Sequence, residues 1–130
     1  MDFDKLLDEM ENGPGFFKHN NFHIEKIDKL ECIITADLTK NSMNPYNIVH
    51  GGLTFGLGDV TMGMLARANG KKAVTLNASI NYLKAGTGKY LKAQAEIIKN
   101  GKTTCVLRAN IYNDQEELIA TMDSNYYYLD

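Results

Sequence analysis

Residues Asn44–Ala66 read NPYNIVHGGLTFGLGDVTMGMLA, and the fold can be predicted outward from this segment. Its apolar part predicts a helix over Gly51–Ala68, which the pair Asn69–Gly70 would end because glycine tolerates a left-handed cap. A helix that is apolar on all sides belongs in a protein core. Asp59 is the only ionisable residue between Gly51 and Ala66, and a lone core carboxylate is costly unless it is paired or used. We therefore expect the chemistry at Asp59.

The predicted helix has two faces that differ in side-chain size. Large side chains share one face: Leu53, Leu57, Val60 and Met64. Small residues surround the carboxylate on the other: Gly52, Gly56, Asp59, Gly63 and Ala66. Each interior glycine costs roughly 1 kcal/mol relative to alanine, so the small face indicates close approach of another backbone or of a ligand. The alternative is that the glycines only allow tight packing of a sheet, with backbone amides binding the carboxylate.

The segments on either side of this helix predict one short helix and six strands. The short helix covers Asp2–Glu11 and ends at Gly13–Gly15, since its apolar residues recur at helical spacing. The predicted strands are Phe22–Ile27, Leu30–Leu38, Ala73–Leu83, Tyr90–Lys99, Thr103–Tyr112 and Leu118–Leu129.

The strands carry three further signals: two alternating faces and one turn. Alternation in the third strand predicts one face of apolar residues: Val74, Leu76, Ala78, Ile80 and Tyr82. The dipeptide Asn100–Gly101 predicts a two-residue hairpin turn between the fourth and fifth strands. Cys105, Leu107, Ala109 and Ile111 alternate as the core face of the fifth strand.

These elements predict an α+β fold, in which one curled antiparallel sheet of about six strands surrounds a long central helix. We expect a single domain over residues 1–130, with the short helix and its turn in residues 1–15. One sheet cannot cover an all-apolar helix on every side. The uncovered side therefore predicts a second subunit, and hence a homo-oligomer.

Composition excludes several classes of function. The chain has 130 residues, of which 44% are hydrophobic, and a formal net charge of −2, so no basic surface for nucleic acid or a membrane is expected. The N-terminus is acidic, unlike a signal peptide. Cys32 and Cys105 lack the spacing of metal ligands, which favours reduced core residues in a cytoplasmic protein.

The start of the central helix adds an electrophilic element to the carboxylate. His50–Gly52 begin the helix, where backbone N–H groups lack intrahelical acceptors and, with the helix dipole, stabilise negative charge. A carboxylate two turns from such N–H groups is compatible with acyl transfer.

The pattern of Asn44, His50–Gly52 and Asp59, on a loop that leads into a central helix, resembles the hotdog-fold acyl-CoA thioesterases. More specifically, it is similar to their PaaI-like (phenylacetate-degradation) branch. The stretch Ala73–Ala85, AVTLNASINYLKA, also resembles the strand that follows the helix in that family.

The resemblance implies a role for each matching residue. The backbone N–H of Gly51 would polarise the thioester carbonyl, and Asn44 would contact the carbonyl or a water. His50 would orient the loop and hydrogen-bond near the thioester. Asp59 of the opposite subunit would be the general base or the nucleophile, and Thr75 would help to hold the water.

The resemblance also implies substrate-binding positions and an assembly. Gly52 and Tyr82 would lie against the substrate, while Lys99 and Lys102 would meet the phosphates of CoA. The implied partners are acyl-CoA and further copies of the chain, as dimers paired into tetramers. Thioester hydrolysis requires no metal or redox cofactor.

Two other functions compete with hydrolysis. A non-catalytic acyl-CoA-binding hotdog domain, acting as a sensor, would not need Asn44, Gly51 and Asp59 together. A hotdog dehydratase or hydratase would carry a catalytic histidine with an acidic partner instead. The length and aromaticity of the acyl group stay open.

Overall fold

The computed structural model describes residues 3–129 of the chain. The helices are α1 (Phe3–Asn12), α2 (Phe16–His19) and α3 (Gly51–Arg67), and a 3-10 turn covers Lys40–Ser42. The strands are β1 (Phe22–Ile27), β2 (Glu31–Asp37), β3 (Ala73–Tyr82), β4 (Tyr90–Asn100), β5 (Thr104–Asn113) and β6 (Leu118–Tyr128).

All six strands form one antiparallel sheet in the order β1-β2-β4-β5-β6-β3, and α3 packs on one face of it. The predicted α+β architecture is therefore confirmed. The short helix α2 was not predicted, and Asp2 of the predicted N-terminal helix lies outside the described residues. No helix among residues 3–129 is long and apolar enough to cross a membrane.

The core lies between α3 and the sheet, and the fifth strand supplies it as predicted. Its alternate residues, from Cys105 to Ile111, are buried. Cys32 is also buried with a free thiol, and burial raises its pKa to about 12. Both cysteines are thus packing residues of the core.

The sheet-facing side of α3 differs from the predicted large face. Leu57 and Met64 are buried, but Leu53 and Val60 are only half-buried, because Thr54, Gly58 and Thr61 take the central positions instead. A Cβ on Gly58 would lie 2.1 Å from Met122 Sδ, so this glycine, which is outside the predicted small face, allows the sheet to approach the helix.

The predicted apolar face of β3 was wrong at its first two positions. Val74 and Leu76 are 47% and 58% exposed, whereas Ala78 and Ile80 pack against the core. A β-bulge between Thr75 and Asn77 shifts the register against β6, and an extra residue in a strand reverses the face of the residues before it.

The predicted Asn100–Gly101 turn was displaced by two residues. Asn100 stays paired with Cys105 in the ladder, and its side-chain oxygen accepts a 2.6 Å hydrogen bond from Tyr128 Oη. Gly101 N donates to Thr104 O at 2.9 Å, so the two residues of the observed turn are 102 and 103. A tertiary contact therefore overrides the local turn preference.

Candidate active site

The N-terminus of α3 presents a free backbone donor at Gly51. His50 caps the helix, since its Nδ1 accepts a 2.8 Å hydrogen bond from Gly52 N and its carbonyl oxygen accepts bonds from Leu53 N and Thr54 N. Within residues 3–129 no acceptor meets the N–H of Gly51. Because Nδ1 accepts, the neutral ring carries its proton on Nε2. His50 thus satisfies one orphan donor and leaves the neighbouring one available.

Asn44 lies in the loop before α3 with its amide oriented by the backbone. Its Oδ1 accepts hydrogen bonds from Tyr46 N at 2.9 Å and Ile48 N at 3.3 Å. The loop is further held by a 2.9 Å bond from Val49 N to Gly86 O. Since Oδ1 is used by the loop, the Nδ2 group remains as a donor with no acceptor in the described part of the chain.

A cavity of about 520 Å³ brings Asn44, Gly51, Gly52 and Tyr82 together. Tyr82 Oη donates a 2.7 Å hydrogen bond to Gly51 O, and burial raises the pKa of Tyr82, so its hydroxyl is a donor at neutral pH. The cavity volume is in the range of small-molecule sites. Its polar groups at this end of α3 are mainly donors.

Asp59 lies in a separate cavity of about 270 Å³, beside Thr75 and Tyr126. It is half-buried rather than enclosed by the core as expected, because it projects towards the β3 edge of the sheet. Its Oδ1 accepts hydrogen bonds from Thr75 Oγ1 at 2.8 Å and from Tyr126 Oη. Its Oδ2 has no donor among residues 3–129, so one carboxylate oxygen is held and the other is open.

Tyr126 is the site residue that sequence reasoning missed. The last strand contains three consecutive tyrosines, a pattern more typical of packing. In the sheet Tyr126 pairs with Thr75 across the β3–β6 ladder, and its side chain is 3% exposed. Burial and the Asp59 carboxylate raise the pKa of Tyr126, so that it stays protonated as a donor. The feature that would have identified Tyr126 is its position opposite Thr75, which is known only once the strand pairing is known.

The two groups of polar residues do not meet within one chain. Gly51 and Asp59 are separated by eight positions on α3, about 12 Å along the helix axis. They line different cavities, one with Asn44 and Tyr82 and the other with Thr75. One chain therefore contains two separate polar clusters, which we call the donor-rich half-site (Asn44, Gly51 and Tyr82) and the carboxylate half-site (Asp59, Thr75 and Tyr126).

The sequence profile of the thioesterase superfamily matches residues 46–120, which include both half-sites except Asn44 and Tyr126. The chain belongs to the thioesterase superfamily. It is a thioester hydrolase of the PaaI-like hotdog type.

Relatives of this thioesterase span most of its length. It is 32% identical over 125 residues to a predicted esterase of Archaeoglobus fulgidus, covering 95% of this chain and 81% of that protein. It is 30% identical over 98 residues to the acyl-coenzyme A thioesterase PaaI of Escherichia coli, covering 75% and 70%.

Solved structures confirm the hotdog fold of this thioesterase. The E. coli PaaI structure superposes with a TM-score of 0.91 at 24% identity, covering 97% of this chain and 92% of that one. A hypothetical thioesterase of Streptococcus pneumoniae, solved with coenzyme A, has a TM-score of 0.79 at 33% identity, covering 83% and 85%. That protein was also solved with alanine replacing an aspartate and, separately, a threonine 16 residues further along.

The remaining candidates of this thioesterase, Lys99 and Lys102, lie far from the Gly51 cavity of the same chain. They lie at the β4–β5 hairpin, where Thr103 O accepts from Tyr128 N at 2.9 Å. Tyr128 in turn accepts from Asn69, just beyond the C-terminal end of α3. Both lysines are exposed, at the end of the helix opposite Gly51. Within one protomer they do not reach the donor-rich half-site.

Proposed function

We propose that this thioesterase hydrolyses acyl-CoA to the free acid and coenzyme A. Its sequence identity to E. coli PaaI supports thioester hydrolysis. The streptococcal relative solved with coenzyme A supports coenzyme A as the carrier of the acyl group. The observation that carries the proposal is a complementary pair of unused groups, the N–H of Gly51 and the Oδ2 of Asp59. A thioester needs a donor for its carbonyl oxygen and a base or nucleophile for its carbonyl carbon.

The donor-rich half-site would bind the thioester carbonyl. The Gly51 N–H and the Asn44 Nδ2 group face the same cavity with no internal acceptor, so both can donate to the oxygen as it gains negative charge. The positive end of the α3 dipole adds to this stabilisation. His50 acts by capping the helix and holding the adjacent N–H groups in place.

The carboxylate half-site would deliver the oxygen atom. Thr75 and Tyr126 hold Oδ1 of Asp59, which directs Oδ2 to a water or to the carbonyl carbon. As a general base, Oδ2 takes a proton while the water oxygen bonds to carbon; as a nucleophile, it forms an anhydride that water then opens. In both cases the carbon–sulfur bond breaks and coenzyme A leaves as a thiolate, which takes a proton from Asp59 in the first route and from water in the second.

The streptococcal variants support the choice of Asp59 and Thr75. The aspartate and threonine replaced there are 16 residues apart, and Asp59 and Thr75 have the same separation here. In this chain a 2.8 Å hydrogen bond joins them. The match supports a shared unit in which the hydroxyl orients the carboxylate.

A homodimer would bring the two half-sites together. In the described sheet β3 is an edge strand bonded only to β6, and it exposes Val74 and Leu76. The adjoining face of α3, around Phe55 and Val60, is only half-buried. An exposed apolar edge next to an incompletely covered helix is a surface for association. We propose that Gly51 of one subunit faces Asp59 of its partner, and that dimers pair into tetramers.

Sedimentation tests this assembly. At micromolar concentration the protein is expected to sediment as a dimer or tetramer, because a monomer leaves the β3 edge and the half-sites open. Leu76→Lys places a charge on the edge and should shift the equilibrium towards monomer, with loss of turnover. A stable monomer with full activity would contradict both the interface and the shared site.

A thiol-release assay tests the reaction. Acetyl-CoA, palmitoyl-CoA and phenylacetyl-CoA are each incubated with the protein, and free coenzyme A is trapped with a thiol reagent. Thiol is expected to appear in step with free acid for at least one of the three. Binding of these compounds without thiol release would instead support a non-catalytic sensor.

A further inference from the structure

A second cavity adjoins the one that contains Asp59. It has a volume of about 430 Å³ and lies between α3 and the N-terminal helices α1 and α2. Met10, Val60 and Arg67 line both cavities, so they share a wall. Val60 is the residue next to Asp59, which puts the carboxylate at the junction.

The walls of this cavity, which we call the N-terminal chamber, are mainly apolar. Besides Met10 and Val60 they include Pro14, Phe16 and Phe17. The rings of Phe16 and Phe17 both pack edge-to-face against Phe22, with centroids 6.1 and 5.7 Å apart. Phe17 is buried, but Phe16 is 59% exposed. One aromatic wall is therefore fixed by the core, and the other is free to contact a ligand.

The charged residues of the chamber do not make it polar. Glu9 and Arg67 form an ion pair with each other across α1 and α3, and Arg67 also contacts Met10 Sδ. This pair neutralises both groups and, with the buried Leu6, holds α1 over the chamber. An apolar group that enters the chamber thus meets no unpaired charge from this pair.

Helix α3 brings the chamber close to Asp59. Gly56 lies one turn before Asp59, about 5 Å along α3, and a Cβ there would be 3.3 Å from Phe16 Cζ. The glycine therefore lets the Phe16 ring lie against the helix. An acetyl group has only one methyl group beyond its carbonyl carbon, so it cannot reach from Asp59 to the level of Gly56. A longer or aromatic acyl group can.

We propose that the N-terminal chamber binds the tail of the acyl group and selects acyl groups with a bulky apolar tail over acetyl. The proposal rests on the proposed hydrolysis of acyl-CoA at Asp59, whose cavity shares the wall of Met10, Val60 and Arg67 with the chamber. Phe16 is then a specificity-determining residue, since its exposed ring would be covered by the tail.

The test compares kcat/KM for phenylacetyl-CoA, hexanoyl-CoA and acetyl-CoA. Phe16→Ala is expected to lower kcat/KM for the two bulky substrates about tenfold, because apolar contact area is lost, and to leave acetyl-CoA unchanged. Met10→Phe, which enlarges a side chain that lines both cavities, should lower the same two values. Leu30→Ala is the matched control, because Leu30 is 79% exposed in the β1–β2 turn and should change none of them.

Binding measurements test the chamber independently of the proposed hydrolysis. Calorimetry with Asp59→Asn protein should give tighter binding of phenylacetyl-CoA than of acetyl-CoA, and adding Phe16→Ala should remove the difference. Unchanged ratios of phenylacetyl-CoA to acetyl-CoA in folded Phe16→Ala and Met10→Phe proteins, by rate and by binding, would overturn the chamber even if hydrolysis is observed. If hydrolysis is absent while the binding preference follows Phe16, the chamber stands and the catalytic proposal fails.

Discussion

Replacement of Asp59 by asparagine is expected to lower kcat at least about a hundredfold, or 2.7 kcal/mol of transition-state stabilisation. Asparagine keeps the size of the side chain and an oxygen that can accept from Thr75 and Tyr126. It removes the negative charge, and with it both the base and the nucleophile. Steady-state kinetics with an acyl-CoA substrate, on protein whose melting temperature is checked, measures the effect.

A matched control separates this effect from the loss of any carboxylate. Asp123 lies on β6, three residues from Tyr126, and its carboxylate is half-exposed and pairs with Arg108 at 3.0 Å. Asp123→Asn should therefore leave turnover unchanged. Tyr126→Phe removes one donor to Asp59 but keeps the carboxylate, so an intermediate fall in kcat is expected. Wild-type turnover in folded Asp59→Asn protein would refute the assignment.

Replacement of Gly51 by alanine is expected to lower kcat/KM at least about tenfold, with a modest fall in melting temperature. The added methyl group would lie 3.1 Å from Tyr82 Oη and 3.2 Å from Tyr82 Cζ, on the wall of the donor-rich cavity. Because Tyr82 is 54% exposed, its ring can move outwards and relieve the contact. The methyl group then crowds the space next to the Gly51 N–H.

Gly58→Ala on the same helix provides the contrasting case. Its methyl group would lie 2.1 Å from Met122 Sδ and 3.2 Å from Ile111 Cδ1, inside the core. Stability should fall first there, while turnover per folded molecule is largely kept. Measuring kinetics and melting on both variants decides the role of Gly51. A large loss of melting temperature in Gly51→Ala with near-normal turnover would leave the carbonyl without its proposed donor.

Local signals in the sequence were sufficient for the central helix and the six strands of this fold. The predicted end of the central helix differs from the observed Gly51–Arg67 by only one residue. The agreement is close because Gly70, at φ +92°, ends the helix as expected. Alternation predicted the buried face of β5 correctly. These features depend on residues close in the chain, so a single sequence contains the information. Asp59 stood out for the same reason, as the only charge within an apolar run.

A single sequence was therefore enough to predict the class of fold, the central helix and the candidate carboxylate with its helix N-terminus. The residues that surround these features depend on the tertiary structure. The pairing of β3 with β6 brings Tyr126 to Asp59 across 67 positions, and the bulge in β3 turns Leu76 outwards. The tertiary structure also places Asn44 and Tyr82 in the cavity of Gly51, and Thr75 in the cavity of Asp59. Such contacts follow from strand order and from the register of distant segments, to which neither periodicity nor capping is sensitive.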